Sequence, residues 1–436
     1  MQLIQPTCSI RPSLRRQPGA LAHTLALALA LACYAGQAAA AGDGAEAQAA
    51  EGMQWTFSGF GTVGAVHSSG KEADFTSSIL RADGAGYSND WSASVDSRLG
   101  GQLSVSFDKR FSAVVQVITQ QRIMGSYKPT VEWANLKYQV TPNLTLRAGR
   151  IALPIFLAAD YRKIGYAYPW VRTPVEVYDA IPISSSDGID ASYRWQTGAV
   201  KHVTQASYGR TRVGLLDDNV LRAHGMAVLS HSVEQGALSG RVSMMRANVT
   251  INIANELFDA FRQFGPAGAA IGQTYELTNK RFSAFTLGAT YDPGNWFLMG
   301  ELGRTDSRAW LGKTQTMYAS AGYRFGNLTP YGSFSRVRSL TPTSHPGLPL
   351  AGLPPRLAAT AAALNAGLNQ LLLTIPVQDS VTAGLRWDLR ADAALKLQYD
   401  RVRPRAGSRG TLIQVQPGFR SDRNVHVASA VLDFVF

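Results

Sequence analysis

The chain has 436 residues but only two cysteines, Cys8 and Cys33, and both lie close to its N-terminus. The rest therefore contains neither a disulfide framework nor a thiolate metal site. Long apolar runs are also missing after residue 40. The nearest candidate, residues 357–375, contains three side-chain amides, whereas a membrane-spanning helix needs about 20 predominantly apolar residues. Beyond its N-terminal region the chain is thus either soluble or crosses a membrane with β-strands.

Residues 1–40 have the pattern of a secretory signal peptide. Three arginines precede an apolar run over residues 20–35, and Ala38-Ala39-Ala40 supplies a small-residue cleavage site. The alternative is a lipoprotein anchor at Cys33, but alanine stands where such a signal carries leucine. We predict a cleaved signal peptide, followed by a short flexible segment over residues 41–52. Without the three arginines the formal net charge falls from +12 to +9.

Strict alternation of apolar and polar residues recurs along the remaining chain. In residues 93–107, for example, apolar odd positions such as Val95 and Leu103 alternate with polar even positions such as Asp96 and Ser104. A period of two predicts strands with one apolar and one polar face. We expect sixteen of them, at residues 54–67, 90–107, 112–121, 130–140, 144–151, 187–196, 200–209, 222–232, 237–248, 281–292, 295–305, 314–325, 328–338, 377–389, 393–403 and 424–436.

The connections between these strands alternate in length. Every second one is a tight turn rich in Gly, Pro, Asn or Asp. The others include five long loops, at residues 68–89, 152–186, 249–280, 339–376 and 404–423. Short periplasmic turns and long extracellular loops are typical of outer-membrane barrels, whose closure leaves no unpaired sheet edge in lipid. We therefore predict an all-β fold over residues 53–436, a closed transmembrane antiparallel β-barrel.

A glycine motif in the first strand suggests a different function at first sight. Residues 59–64, Gly-Phe-Gly-Thr-Val-Gly, match the dinucleotide-binding fingerprint. That fingerprint requires a helix directly after it, but a polar run to Asp90 follows instead. We assign these glycines to strand curvature and expect no nucleotide site and no nucleic-acid partner.

The C-terminal residues resemble the terminal signature of outer-membrane barrels. Leu432, Phe434 and Phe436 lie on one face of the last predicted strand. The resemblance implies that they form the signal that the barrel assembly machinery recognises.

Residues 143–179, NLTLRAGRIALPIFLAADYRKIGYAYPWVRTPVEVYD, resemble the sixteen-stranded porins of Gram-negative bacteria, where a fifth strand ending in Gly-Arg precedes a long third loop. The match implies that residues 152–186 fold into the lumen as a constriction. Tyr168-Pro169-Trp170 stands where the commonest loop tip of these porins would be. In this respect the chain resembles a divergent proteobacterial group more than the classical trimeric porins. The resemblance implies an integral outer-membrane protein that gives passive diffusion of small hydrophilic solutes. It leaves the oligomeric state open, with a homotrimer among the alternatives.

Charged residues define the candidate site. On a regular strand Arg147 and Arg150 cannot both face the lumen, and the family pattern favours Arg150, opposed by Glu176 or Asp179 of the loop. The expected constriction residues are Arg150, Asp160, Arg162, Lys163, Arg172, Glu176 and Asp179. The expected lumen lining, from the polar faces of the strands, is Asp96, Arg98, Lys137, Asp190, Arg194, Arg241, Glu301, Arg386, Asp388, Lys396 and Asp400.

The charge balance predicts a weak preference for anions. The arginines between residues 401 and 423 sit at the expected mouth, where they would attract anionic solutes or bind the phosphates of lipopolysaccharide and other outer-membrane lipids. A narrow, substrate-specific channel for organic anions is one alternative. An outer-membrane lipid or peptide hydrolase is another, but the histidines are scattered, and His224 and His231 fall on opposite faces by parity. We expect no enzyme activity, no cofactor and no metal.

Overall fold

The computed structural model describes residues 53–436, so the predicted signal peptide and the segment 41–52 lie outside the described residues. In chain order the strands are β1 (Gln54–Ser68), the two-residue strands β2 (Asp74–Phe75), β3 (Ala85–Gly86) and β4 (Trp91–Ser92), then β5 (Arg98–Ser106), β6 (Phe111–Gln120), β7 (Thr130–Gln139), β8 (Leu144–Ala152), β9 (Ser185–Thr197), β10 (Val200–Gly214), β11 (Val220–Gln235), β12 (Leu238–Ile251), β13 (Lys280–Tyr291), β14 (Trp296–Ser307), β15 (Lys313–Tyr323), β16 (Leu328–Ser339), β17 (Gln378–Arg390), β18 (Ala393–Pro404) and β19 (Val425–Val435).

The sixteen long strands, β1 and β5–β19, form one antiparallel sheet that closes on itself. Each pairs with its neighbours in the chain, and β1 pairs with both β5 and β19. Gly61 thus lies opposite Leu99 on one side and Phe434 on the other. The predicted closed barrel of sixteen strands is confirmed. Leu432 and Phe434 lie on β19 at the closure, and their role in assembly stays a prediction.

The second long strand departs most from its predicted bounds. It was expected over residues 90–107 but begins at Arg98. Residues 93–97 leave the sheet, and Val95 and Asp96 are buried in the loop that precedes the strand. Alternation continues through such a segment because one side is still buried, so the sequence pattern alone does not mark the strand start.

The connections follow the expected alternation of short and long. The turns contain two to four residues, for example 198–199 and 236–237, where Gly198 and Gly236 have positive φ values of 58° and 56°. At the opposite end of the barrel, the third loop comprises residues 153–184 and contains the short helix α1 (Val175–Tyr178).

Two further loops carry longer helices. The fifth loop contains α2 (Asn255–Arg262) and α3 (Gly265–Tyr275), and the seventh loop contains α4 (Pro355–Leu372). None of the helices within residues 53–436 is long and apolar enough to cross a membrane. The three helices pack against inward-facing residues of the barrel, in a cluster that includes Phe258, Phe261, Leu368, Met226 and Met245. Part of the lumen is therefore filled by an apolar core, where the inner wall is apolar as well.

The two faces of the barrel have opposite polarity. Large apolar side chains point outward and are exposed by 41–53%, including those of Leu103, Leu146, Leu229, Leu287 and Leu302. Inward positions carry buried polar side chains, including those of Gln116, Asp190, Ser243, Glu301 and Thr316. An apolar outer band around a polar interior is the arrangement of transmembrane barrels.

A β-bulge changes the parity of β11. The register between β11 and β12 shifts between His224 and Ala227, where Gly225 has a φ of +59°. The inward residues are Ala223 before the bulge and Val228 after it. The extra residue places His224 and His231 on the same outer face, so the expectation of opposite faces is wrong.

Candidate functional site in the barrel lumen

The third loop lies inside the barrel and crosses to the far wall. Near its start, the Leu157 amide donates to Glu301 Oε1 on β14 at 3.1 Å. Further along, Trp170 Nε1 donates to Ser320 Oγ on β15 at 2.9 Å, and the Val171 amide donates to Gln398 Oε1 on β18 at 2.9 Å. The side chains of Trp170 and Val171 are buried. The expected folding of this loop into the lumen is confirmed.

Arg172 fixes the loop through a buried ion-pair cluster. Its guanidinium lies 2.6 Å from Asp96 Oδ2, just before β5, and 2.9 Å from Asp400 Oδ2 on β18. It also donates to Ser429 Oγ on β19 at 2.6 Å. Burial alone would lower the pKa of Arg172, but the two carboxylates raise it above its usual value. Arg172 therefore joins three separate parts of the chain as a permanent cation.

Lys396 forms a second buried anchor on β18. Its ammonium donates to the carbonyl oxygens of Gly165 and Tyr168 at 2.7 Å and of Trp170 at 2.9 Å. It also lies 2.8 Å from Asp433 Oδ2. At Gly165 any Cβ atom would collide with the Asp433 carboxylate, so the close approach requires glycine.

The two loop carboxylates that the sequence placed in the channel are bound elsewhere, Glu176 to the barrel wall and Asp179 to the first loop. Glu176 accepts hydrogen bonds from Ser335 Oγ at 2.7 Å, from Gln378 Nε2 at 2.6 Å and from Ser380 Oγ. Asp179 accepts from the Ile79 amide at 2.8 Å. Both side chains are buried. A buried carboxylate needs hydrogen-bond donors, and these contacts supply them. The expected opposition of Glu176 or Asp179 to Arg150 across the channel is therefore wrong.

Arg150 also lies on the other side of the wall. It forms an ion pair with Asp187 of β9 at 2.7 Å, and both side chains are 40–47% exposed. On β8 the inward residue next to it is the fully buried Ile151, so Arg150 points outward. Arg147 is the inward arginine, and its Nε lies 2.9 Å from Asp190 Oδ1. The family pattern led to the wrong choice between Arg147 and Arg150.

The remaining predicted residues lie inside the barrel. Asp160 at the loop start lies 3.3 Å from Arg241 Nη2. Arg386 of β17 donates to the Tyr166 carbonyl at 2.7 Å and lies 2.8 Å from Asp388. The strand residues of the expected lumen lining occupy inner-face positions by the alternation of buried neighbours: Arg98, Lys137, Asp190, Arg194, Arg241, Glu301, Arg386, Asp388, Lys396 and Asp400.

A cavity of about 150 Å³ lies between the first, second and third loops and the ends of β5, β6, β7 and β10. We call it the basic chamber, because its lining contains six cations and no carboxylate: Arg81, Arg98, Arg122, Arg162, Lys163 and Arg172. The polar remainder of the lining is uncharged, for example Gln120 and Thr130.

Backbone carbonyl groups hold several of these cations in place. Arg81 donates to the Gln121 carbonyl oxygen, and Arg162 donates to the carbonyl oxygens of Tyr178 at 2.7 Å and Ile181 at 3.1 Å. Burial lowers the pKa of Arg81 to about 10 and of Lys163 to about 8. The sequence missed Arg81 and Arg122 because they lie in loops, where no periodic pattern marks the inner face.

A second cavity of about 680 Å³ lies on the side of the short turns. Its charged lining is mixed and consists of Arg194, Lys201, Glu234 and Arg241. Tyr161 of the third loop lines this cavity, whereas the next two residues, Arg162 and Lys163, line the basic chamber. The third loop thus lies between the two cavities.

Comparisons with known proteins identify the fold. No family model and no curated protein matches the chain. Among solved structures, it is similar to the anion-selective porin from Comamonas acidovorans, at 13% identity and a TM-score of 0.51, over 88% of this chain and 100% of that one. It is also similar to the outer membrane channel DcaP of Acinetobacter baumannii, at 11% identity and 0.51, over 90% and 100%.

The in-vitro folded outer membrane protein OmpT of Vibrio cholerae matches at 10% identity and a TM-score of 0.51, over 90% of this chain and 100% of that one. At these identities the likeness defines the fold alone. The chain has the fold of an outer-membrane porin.

Proposed function

We propose that this protein is an outer-membrane porin that gives passive diffusion of small hydrophilic solutes and prefers anions. The observation that carries the proposal is the basic chamber, where six cations and no carboxylate line the space beside the third loop. The selectivity of a channel follows from its diameter and the charge of its lining. Fixed cations in a confined polar space attract anions and repel small cations.

The carboxylates near the chamber do not cancel this charge. Asp96 and Asp400 are both bound to Arg172, and Asp190 on the wall is bound to Arg147. The Arg147–Asp190 pair is neutral, whereas Arg172 with its two carboxylates has a net negative charge of one. Arg81, Arg98, Arg122, Arg162 and Lys163 still leave a positive excess, even beside Asp179 and Glu132, which act on Arg162. We infer that solutes pass between the basic chamber and the second cavity, on the side of the short turns, along residues 161–163 of the third loop.

A narrow, substrate-specific channel for organic anions is the second candidate. It is favoured by the filled lumen, because α2, α3 and α4 occupy one side of it with an apolar core. The basic chamber is also smaller than the roughly 300–1,000 Å³ of a typical small-molecule site. Such a pore would have a lower single-channel conductance than an open diffusion pore.

Reconstitution in a planar lipid bilayer tests both candidates. We expect a reversal potential in a potassium chloride gradient that indicates anion preference, and the preference should decrease as salt is raised, since the Debye length falls from about 10 Å at 0.1 M to about 3 Å at 1 M. Arg98→Gln with Arg122→Gln should reduce it. Arg304→Gln is the matched control, because Arg304 is exposed on the outer face. Cation preference in the unaltered protein would contradict the proposal.

We propose that the protein has no catalytic activity. The purified barrel also tests the alternative of a lipid or peptide hydrolase. Within residues 53–436 no ion pair joins a histidine to a carboxylate, although a hydrolytic base is usually oriented by such a partner. Turnover of a fluorogenic lipid or peptide by the folded, detergent-solubilised barrel would show that an enzyme is present.

A further inference from the structure

Two histidines meet on the outer face of the barrel, close to the short turns. His202 is the third residue of β10, and His231 is the fifth residue from the end of β11. Thr204 lies directly opposite His231 in the register between these strands, so His202 and His231 are diagonal neighbours on one face. Long side chains at such positions reach each other. His202 Nδ1 lies 3.3 Å from His231 Nε2.

The buried residues that alternate with the two histidines place them outside the lumen. On β10, Gln205 is buried and donates to the inward Asp190, so the even-numbered His202 points outward. On β11, the buried Ser230 directly precedes His231, which therefore also points outward. The histidine pair is thus separate from the third loop and from the basic chamber.

Strand pairing creates this pair, and no local pattern in the sequence predicts it. The two histidines are 29 residues apart in the chain, so they look scattered in the sequence. The bulge at Gly225 also changes the parity of β11, which sets the face on which His231 lies. The lack of cysteine after residue 40 excludes thiolate metal sites, but it does not exclude a site made of imidazoles.

The separation of the two ring nitrogens suits a metal ion. Zinc binds histidine nitrogen at about 2.0–2.1 Å in tetrahedral geometry, which places two ligand nitrogens about 3.3–3.4 Å apart. The distance between His202 Nδ1 and His231 Nε2 is 3.3 Å. With the same bond length, adjacent ligands of a square-planar ion would lie about 2.9 Å apart. A tetrahedral ion therefore fits the pair without a change in this separation.

Neighbouring side chains hold both rings in place. Thr204 Oγ1 lies 2.9 Å from His231 Nδ1. When this hydroxyl accepts from Nδ1–H, the lone pair of His231 is on Nε2, the nitrogen next to His202. Metal-binding histidines usually donate their other ring N–H to an acceptor in this way. Trp195 stacks on His202, with ring centroids 3.8 Å apart and ring planes 7° apart.

The protonation states of the pair are compatible with chelation. A neutral imidazole has one donor and one acceptor nitrogen. Without an ion, one of the two facing nitrogens donates to the other. His202 is only partly buried, so its proton can move to a hydrated Nε2 and leave a lone pair on Nδ1. Both facing nitrogens are then ligands, and the ion replaces a single hydrogen bond.

The pair supplies two ligands and leaves the other coordination positions open. Within residues 53–436 no group of three or more His, Cys, Asp or Glu side chains is placed to hold a metal ion. Imidazole suits zinc, copper and nickel, whereas magnesium and calcium prefer oxygen ligands. The chemistry of the pair therefore selects a divalent transition metal.

We propose that His202 Nδ1 and His231 Nε2 bind a divalent transition-metal ion of the zinc class, with water in the remaining positions. The site lies on the outer face at the end of the barrel that carries the short turns. It does not depend on the proposed diffusion function, because neither histidine faces the lumen.

Calorimetric titration of zinc chloride into the folded mature barrel, in detergent and without an affinity tag, tests this proposal. We expect one zinc ion per barrel, and no comparable binding of magnesium chloride. His202→Ala and His231→Ala should each weaken zinc binding at least tenfold, because a single imidazole cannot chelate. With copper(II) as the probe, electron paramagnetic resonance should show two coordinated nitrogens in the unaltered barrel and one in each variant.

His224→Ala is the matched control. His224 lies on the same outer face of β11, seven residues from His231 and closer to the long loops, so its loss should leave zinc binding unchanged. Thr204 is a positioning residue in this proposal. Thr204→Val should weaken zinc binding less than the loss of a histidine does and should retain two coordinated nitrogens, and Thr204→Ser should restore the affinity. The shift of the unboiled band on denaturing gels verifies that each variant is folded.

Equal zinc binding by the folded His202→Ala variant and the unaltered barrel would overturn the proposal. An equal loss of binding in His224→Ala and His231→Ala would also overturn it, since it would indicate general binding to surface histidines. The outcome for the channel is separate. A barrel that binds one zinc ion through this pair but does not conduct would overturn the proposed diffusion function and support the metal site.

Discussion

Arg172→Gln is the substitution that tests the third loop most directly. Arg172 is 3% exposed and is the only side chain named above that reaches Asp96, Asp400 and Ser429 together. Glutamine is too short and carries no charge, so two buried carboxylates would lose their cation. We expect the loop to leave the wall near β18 and the pore to widen.

The size of the effect follows from burial. Removing one partner of a buried ion pair typically costs about 3–5 kcal/mol, because the remaining charge is left uncompensated. Lys396 still binds the carbonyl groups of Gly165, Tyr168 and Trp170, and Glu176 still binds its own donors. The barrel should therefore fold, with the loop loosened around residues 171–173 and the unfolding temperature lowered.

Arg150→Gln is the matched control. It also removes an arginine from an ion pair, but the Arg150–Asp187 pair is on the outer face and about 40–47% exposed. Pairs of this kind contribute about 0–1 kcal/mol. We expect no change in conductance or anion preference.

Two assays read out the comparison. Gel mobility of unboiled samples after incubation at increasing temperature measures barrel stability, and single-channel recording measures conductance. Arg172→Gln should lower the first and raise the second. Adding Asp96→Asn and Asp400→Asn should restore much of the stability, because neutral amides need no counter-ion. Unchanged stability and conductance in Arg172→Gln would refute the assignment of Arg172 as the anchor of the loop.

Three further predictions concern the loop, its charge and assembly. Removing residues 160–178 should raise single-channel conductance severalfold in a barrel that still shows its heat-dependent gel shift, and unchanged conductance would place the loop outside the pathway. Raising the pH from 6.5 to 9.5 should reduce the anion preference in reversal-potential measurements. Lys163, with a pKa of about 8, becomes neutral over this range, whereas Arg81, with a pKa of about 10, stays largely charged. Lys163→Met should abolish most of that pH dependence. Deleting Phe436 should reduce the amount of folded barrel recovered from the outer membrane, measured by fractionation, while deletion within residues 41–52 should not.

Local alternation was sufficient to predict the strands. A period of two is set by the pleat itself, so the number and order of the sixteen strands follow from residues close together in the chain. The same alternation on β8, where Leu144, Leu146 and Ala148 share one face, favours Arg147 as the inward arginine. The wrong choice of Arg150 came from the family pattern, which was given more weight than the local face.

Parity fails where the backbone departs from the regular strand. The bulge at Gly225 inserts one residue into β11, and His224 and His231 then share the outer face. Residues 93–97 show a similar limit, because their buried side belongs to a loop that packs around Arg172.

The barrel and its turns follow from the sequence alone, since both depend on short-range periodicity and on loop length, and the resemblance to porins implied that the third loop enters the lumen. The charges that line the passage, in contrast, depend on contacts between distant parts of the chain. Glu176 and Asp179 look like channel carboxylates in the sequence, yet Glu176 is bound by Ser335, Gln378 and Ser380, which lie more than 150 residues away. A buried charge takes its partners from whatever wall the loop meets, and that contact exists only after the barrel has closed.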